Sequence, residues 1–120
     1  DPAVIDALRL VRLPYHLSAL TQAAALGALA HAPAMLAMVD DIVVQRDRIT
    51  ARLIELGYTP LPSWSNFVMF GGVDDPAAVW QHLYDRGILV RDLGIPGHLR
   101  VAAGTTEETT AFLDALASLD

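Results

Sequence analysis

The sequence predicts a two-layer α+β domain, and three observations carry that expectation. Apolar residues recur at helical spacing through the first half of the chain, and short strand-like runs fill much of the second half. Helix-start signals punctuate both halves: Asp1-Pro2, Asp75-Pro76 and Thr105-x-x-Glu108. The 120 residues suit one domain with one core of moderate size.

Asp1 as N-cap and Pro2 at the first helical position open a helix over about residues 2–11, which stops before Pro14 because the residue ahead of a proline is pushed out of the helical region. Leu13–Leu17 is a connector. Ser18 caps a second helix running to about His31, and Pro33 opens a third whose apolar positions Met35, Leu36, Val39, Ile42, Val43, Ile49, Leu53 and Leu56 follow a helical period until Gly57. At about 23 residues and about 34 Å this helix exceeds what a small core can cover, as helices bridging two domains often do. Tyr58–Leu61 is expected as an edge strand, since Pro60 and Pro62 cannot donate to a central ladder, and Asn66–Phe70 as a second strand. Asp75-Pro76 starts a helix burying Val79, Trp80 and Leu83, and Gly87 ends it. Ile88–Val90 is expected as a short buried strand, Leu93–Gly97 as a loop, and Leu99–Ala103 as a strand whose alternation turns Arg100 away from Leu99 and Val101. The capping box Thr105-x-x-Glu108 opens a last helix, about Thr106–Leu119, with Phe112, Leu116 and Leu119 inward. The resulting order, ααα-ββ-α-ββ-α, is that of an α+β fold.

Composition narrows the function. The absence of cysteine excludes disulfides, thiolate metal sites and thiol nucleophiles, leaving a cytoplasmic location as the default expectation. A net charge of -6 with no basic run argues against nucleic acid, which needs clustered positive charge. Leu17–Val39 is nearly apolar, but Gln22, His31 and Pro33 interrupt it and much of it is weakly hydrophobic alanine, so it is not expected to span a membrane. An Ala-rich helix packing closely on neighbours is expected instead. The 53% hydrophobic content is high for a free-standing domain of this size, so some apolar surface is expected to meet another chain or domain. The opening Asp-Pro-Ala-Val-Ile resembles neither a signal peptide nor an initiator methionine region, which suggests a start inside a longer protein.

All eight basic residues are arginine. The guanidinium is a planar, permanently charged fork that grips carboxylate or phosphate bidentately, so Arg91 and Arg100, at the ends of two neighbouring strands, form a candidate anion-binding pair. Lysine, the residue that forms Schiff bases, is missing. By residue type alone each arginine could equally sit in a surface ion pair, Arg91 with Asp92 or Asp85.

Four segments in order, Leu13-Pro-Tyr-His-Leu-Ser18 with Ala19–Ala24, Ser65-Asn-Phe-Val-Met-Phe70, Gly87-Ile-Leu-Val-Arg-Asp92, and Leu99-Arg-Val-Ala-Ala-Gly-Thr105 with Glu108, resemble the C-terminal part of histidinol-phosphate aminotransferases in their actinobacterial form. The resemblance spans almost the whole chain. It implies the small domain of a fold-type I, pyridoxal-phosphate-dependent aminotransferase: residues 1–120 as one C-terminal domain, N-terminal helices followed by ββαββα, with residues 1–33 as a helical connection toward a large domain. In that family the Schiff-base lysine and most cofactor-binding residues lie upstream, so no catalytic and no cofactor-binding residue is expected in this stretch. Carried over, Arg100 matches the arginine that binds the substrate α-carboxylate, and Arg91 the one that helps hold the phosphate of histidinol phosphate. The implied substrates are histidinol phosphate and glutamate or 2-oxoglutarate. The implied partners are the large domain and a second copy, with the N-terminal helices exchanged about the His31–Pro33 joint in the isolated stretch. An aromatic amino-acid aminotransferase or threonine-phosphate decarboxylase shares much of the pattern. From a different class, a non-catalytic α+β interaction module would use the apolar surface to bind a partner.

Other polar residues read as structural. Tyr15 and His16 fall in the connector that, by the resemblance, approaches the active-site entrance, although a tyrosine before a helix is more often a packing residue. Asn66 at a strand start suits a hydrogen bond to loop backbone. His16, His31, His82 and His98 show no two-ligand spacing on one helix face, which argues against a metal site. Asp40-Asp41 and Asp74-Asp75 read as solvated charges or helix caps. Gly94 and Gly97 belong to a turn and not to a phosphate-binding glycine motif.

Overall fold

Capping chemistry sets most helix boundaries. The computed structural model describes residues 1–13 and 17–119. Asp1 caps α1 (Pro2–Val11) by accepting from Ala3 N–H, Ser18 caps α2 (Ala19–Ala30) by accepting from Thr21 N–H, and α3 runs from Ala32 to Glu55. Asp75 caps α4 (Pro76–Tyr84), and the reciprocal Thr105–Glu108 box caps α5 (Thr106–Ala117). α3 and α4 end alike. Gly57 (φ +86°) and Gly87 (φ +75°) take the left-handed conformation that closes a Schellman turn, with Tyr58 N–H donating to Leu53 O at 2.9 Å and Ile88 N–H to Leu83 O at 3.0 Å.

The strands β1 (Thr59–Pro60), β2 (Phe67–Gly71) and β3 (Leu99–Ala102) form an antiparallel sheet in the order β1-β2-β3. Pro60 lies on the edge strand, as its missing N–H demands. Alternation gives the sheet two faces. Val68, Phe70, Leu99 and Val101 are buried beneath Ile49 and Leu53 of α3, Leu83 of α4, and Phe112, Leu113 and Leu116 of α5. Each such side chain contributes about 1.5–3 kcal/mol on burial. Phe70 meets Phe112 and Tyr58 edge-on, with ring centroids 6.4 and 5.5 Å apart. Gln45 ties α3 to α5 through its amide to Thr106 Oγ1 at 3.0 Å.

Among the described residues the α+β class and the five helices follow the sequence, with one departure. Ile88–Val90 does not form a fourth strand: the following residue, Arg91, makes a single bridge to Arg100 of β3, and Val90 O accepts from Trp80 Nε1 at 3.0 Å. The apolar stripe of α3 enters the core only at Ile49 and Leu53, with Leu56 packed against it, while Met35, Leu36, Val39 and Val43 remain exposed. A sheet whose longest strand is about 17 Å cannot cover a helix of about 36 Å. Within α2 every residue is exposed except half-buried Ala28. Residues Asp1–Leu36 and Ala37–Asp120 form two compact units. Among the described residues no single helix is long and apolar enough to cross a membrane; α2 and α3 satisfy that test only when joined across the break at His31.

Candidate functional site

The sheet face turned away from the helices carries the candidate site. Because Val68 and Phe70 point to the core, Phe67, Met69 and Gly71 point to the opposite face, and so do Arg100 and Ala102 between and after buried Leu99 and Val101. Arg91 joins them through its bridge to Arg100, in which Arg91 N–H donates to Arg100 O at 2.8 Å and Arg100 N–H to Arg91 O at 2.9 Å. Residues that exchange both bonds have Cα atoms about 5.5 Å apart and side chains on the same face. The structure therefore brings the two sequence-predicted arginines side by side.

Their charges are not spent on carboxylates. Among the described residues the ion pairs are Arg9–Asp6, Arg46–Asp47 and Arg52–Glu55, none involving Arg91 or Arg100. The acids proposed as partners for Arg91 are engaged elsewhere: Asp92 Oδ1 accepts from Gly94 N–H at 2.7 Å, and Asp85 Oδ1 from Gln81 Nε2 at 2.6 Å. Arg91 is exposed, whereas half-buried Arg100 lays its guanidinium carbon 4.6 Å from the centroid of the Phe67 ring. One arginine is seated and the other reaches into solvent.

His98 completes the face. Nδ1 lies 2.8 Å from Pro96 O and so carries the proton, and the ring packs over Gly71, where an added Cβ would fall 2.7 Å from His98 Nε2 and 3.0 Å from Thr59 Oγ1. Sequence reasoning assigned no role to Phe67 or His98. The signal lay in the strand register: Phe67 stands opposite Ala102, hence diagonal to Arg100, which no single segment reveals.

The remaining polar residues take structural parts. Asn66 uses its backbone carbonyl to accept from Ala103 N–H at 2.8 Å, and its side chain meets Ser65 Oγ, not the loop backbone. His82 Nε2 lies 3.0 Å from Ala115 O, and Asp75 is a helix cap. Tyr15 and His16 lie outside the described residues. A separate cavity of about 470 Å³ is lined by Ile88, Val101, Thr109 and Phe112 among others, and neither Arg91 nor Arg100 borders it.

Residues 1–116 match the family described as aminotransferase class I and II. The chain is 63% identical over 118 residues to the histidinol-phosphate aminotransferase of Paenarthrobacter aurescens, covering 98% of this chain and 32% of the relative. It is 57% identical to that of Corynebacterium glutamicum over 99% of this chain and 32% of the relative, and 56% identical to that of Streptomyces avermitilis over 98% and 32%. A crystal structure of a candidate aminotransferase from Burkholderia pseudomallei superposes with a TM-score of 0.84 at 29% identity, over 98% of this chain and 37% of that one. The chain thus spans about a third of the length of the curated relatives it matches. With the family match covering nearly every residue, the chain belongs to the class I and II aminotransferases.

Proposed function

We propose that this chain is the substrate-anchoring small domain of a pyridoxal-phosphate-dependent transaminase, the enzyme that converts histidinol phosphate and 2-oxoglutarate to imidazole-acetol phosphate and glutamate in histidine biosynthesis. The reading places residues 1–33 as the connection to a large domain, with the protein working as a cytoplasmic homodimer. The observation that carries it is a pair of arginines, Arg91 and Arg100, backbone-paired on the open sheet face with no carboxylate partner among the described residues. The identity of 51–63% to proteins named histidinol-phosphate aminotransferase supports the choice of substrate.

The chemistry suits the arrangement. Glutamate presents an α-carboxylate where histidinol phosphate presents a phosphate ester, so one site must hold two different anions in the two half-reactions. Arg100 holds the carboxylate, and Arg91 beside it adds the donors and charge that the phosphate requires. Fixing that end holds the reacting carbon in one pose while its proton moves. The stretch does not fit covalent attachment of pyridoxal phosphate, because it contains no lysine, and the proposal assigns that attachment to the rest of the longer polypeptide.

The test is Arg100→Ala in the full-length enzyme. Losing a charge-assisted bidentate contact costs about 2–3 kcal/mol, so kcat/KM for both histidinol phosphate and glutamate should fall about thirtyfold or more. Unchanged kinetics would refute the assignment.

A further inference from the structure

We infer that Phe67 is a positioning residue for the anchoring arginine: its ring holds the flat face of the Arg100 guanidinium and leaves the N–H donors at the edge free for a substrate anion. The inference deepens the proposed function and rests on the reading of Arg100 as the anchor.

Phe67 has no core to fill. Buried Val68 and Phe70 serve that purpose, and alternation leaves Phe67 half-buried on the opposite face. A large aromatic side chain there needs another use. Its register partner is Ala102, too small to occupy the space above it, so the ring can lean along the diagonal to Arg100, where the cation lies 4.6 Å from the centroid. Met69 stands directly opposite Arg100 in the register, at the next outward position along β2.

The choice of ring over carboxylate matters. An aspartate or glutamate would fix Arg100 just as firmly, but through the N–H fork that a bidentate substrate contact needs. A ring engages only the π face, so the side chain loses its rotamer freedom in advance while its in-plane donors stay available. Substrate then meets an ordered arginine and does not bear the ordering cost itself. Arg91 is exposed, and among the described residues no ring is seated against it.

Steady-state kinetics of the full-length enzyme test this with four variants: Phe67→Leu, Phe67→Tyr, Arg100→Lys, and Phe67→Leu combined with Arg100→Lys. Phe67→Leu should raise KM for both substrates about five- to tenfold with kcat within about twofold, Phe67→Tyr should stay within about twofold of wild type, and Phe67→Leu should add nothing to Arg100→Lys. Equal losses in Phe67→Leu and Phe67→Tyr, or a multiplicative loss in the double variant, would overturn the positioning role. Should Phe67→Leu fail to fold, Phe67→Trp takes its place as a ring-retaining variant, and a KM raised tenfold there would equally overturn it. If Arg100→Lys raises KM while Phe67→Leu leaves it unchanged, only this inference fails; if Arg100→Lys is itself silent, the anchoring assignment fails with it.

Discussion

Arg91 and Arg100 are joined through the main chain: each donates its N–H to the other's carbonyl, at 2.8 and 2.9 Å, and neither guanidinium takes part. Two like charges are thereby held as neighbours by bonds that no substitution other than proline removes.

Arg91→Ala should therefore change selectivity and leave the fold intact. In the full-length enzyme we expect kcat/KM for histidinol phosphate to fall at least about tenfold, with glutamate affected less, and stability to stay within about 0.5 kcal/mol. Arg91→Pro, which deletes one of the two bridging donors, should lower the melting temperature as well. Equal losses on both substrates in Arg91→Ala would contradict the division of roles.

Gly71→Ala should destabilise. Gly71 is buried and lacks the positive φ that would itself require glycine, yet a Cβ there would lie 2.7 Å from His98 Nε2. The cost should be about 1–3 kcal/mol, as for other overpacked sites, and His98→Ala in the same background should recover much of it. Denaturant midpoints of the two variants decide this, and a neutral Gly71→Ala would show that the imidazole swings aside freely.

Thr109→Val should stabilise. The Thr109 hydroxyl is buried and has no hydrogen-bond partner among the described residues, and valine keeps the β-branched shape without it. We expect a gain of about 0.5–1 kcal/mol, read as a rise in melting temperature. A fall would reveal a hydrogen bond to that oxygen in solution.

The 120-residue chain should take up no covalent pyridoxal phosphate at internal positions, since no lysine is present to form an imine. Borohydride reduction followed by intact-mass and peptide mapping checks this. A stoichiometric adduct away from the N-terminal amine would contradict it.

How far the sequence could be read depends on whether a feature is local. Asp1, Ser18, Asp75 and Thr105 announce their helices because a cap is satisfied within three residues, and the structure places all four as caps. The arginine pair was legible because alternation turns Arg100 off the core face. The fate of Ile88–Val90 was not, since whether an apolar run pairs along its length or touches at one residue depends on the strand beside it. Nor was the seating of Arg100 on Phe67, thirty-odd residues away in sequence and adjacent only through the β2–β3 register. The outer half of α3 carries the same helical period as its core half, so periodicity could not tell which positions the small sheet would cover.

The lone bridge that replaces a fourth strand has an evolutionary corollary. Because the distance between the two arginines is set by two hydrogen bonds, the intervening segment 92–99 is a closed excursion whose length does not enter that spacing. Lengthening such a loop carries only a logarithmic entropic penalty. Insertions between Asp92 and Gly97 can thus remodel the surface beside the two arginines while the proposed anion-binding pair keeps its spacing.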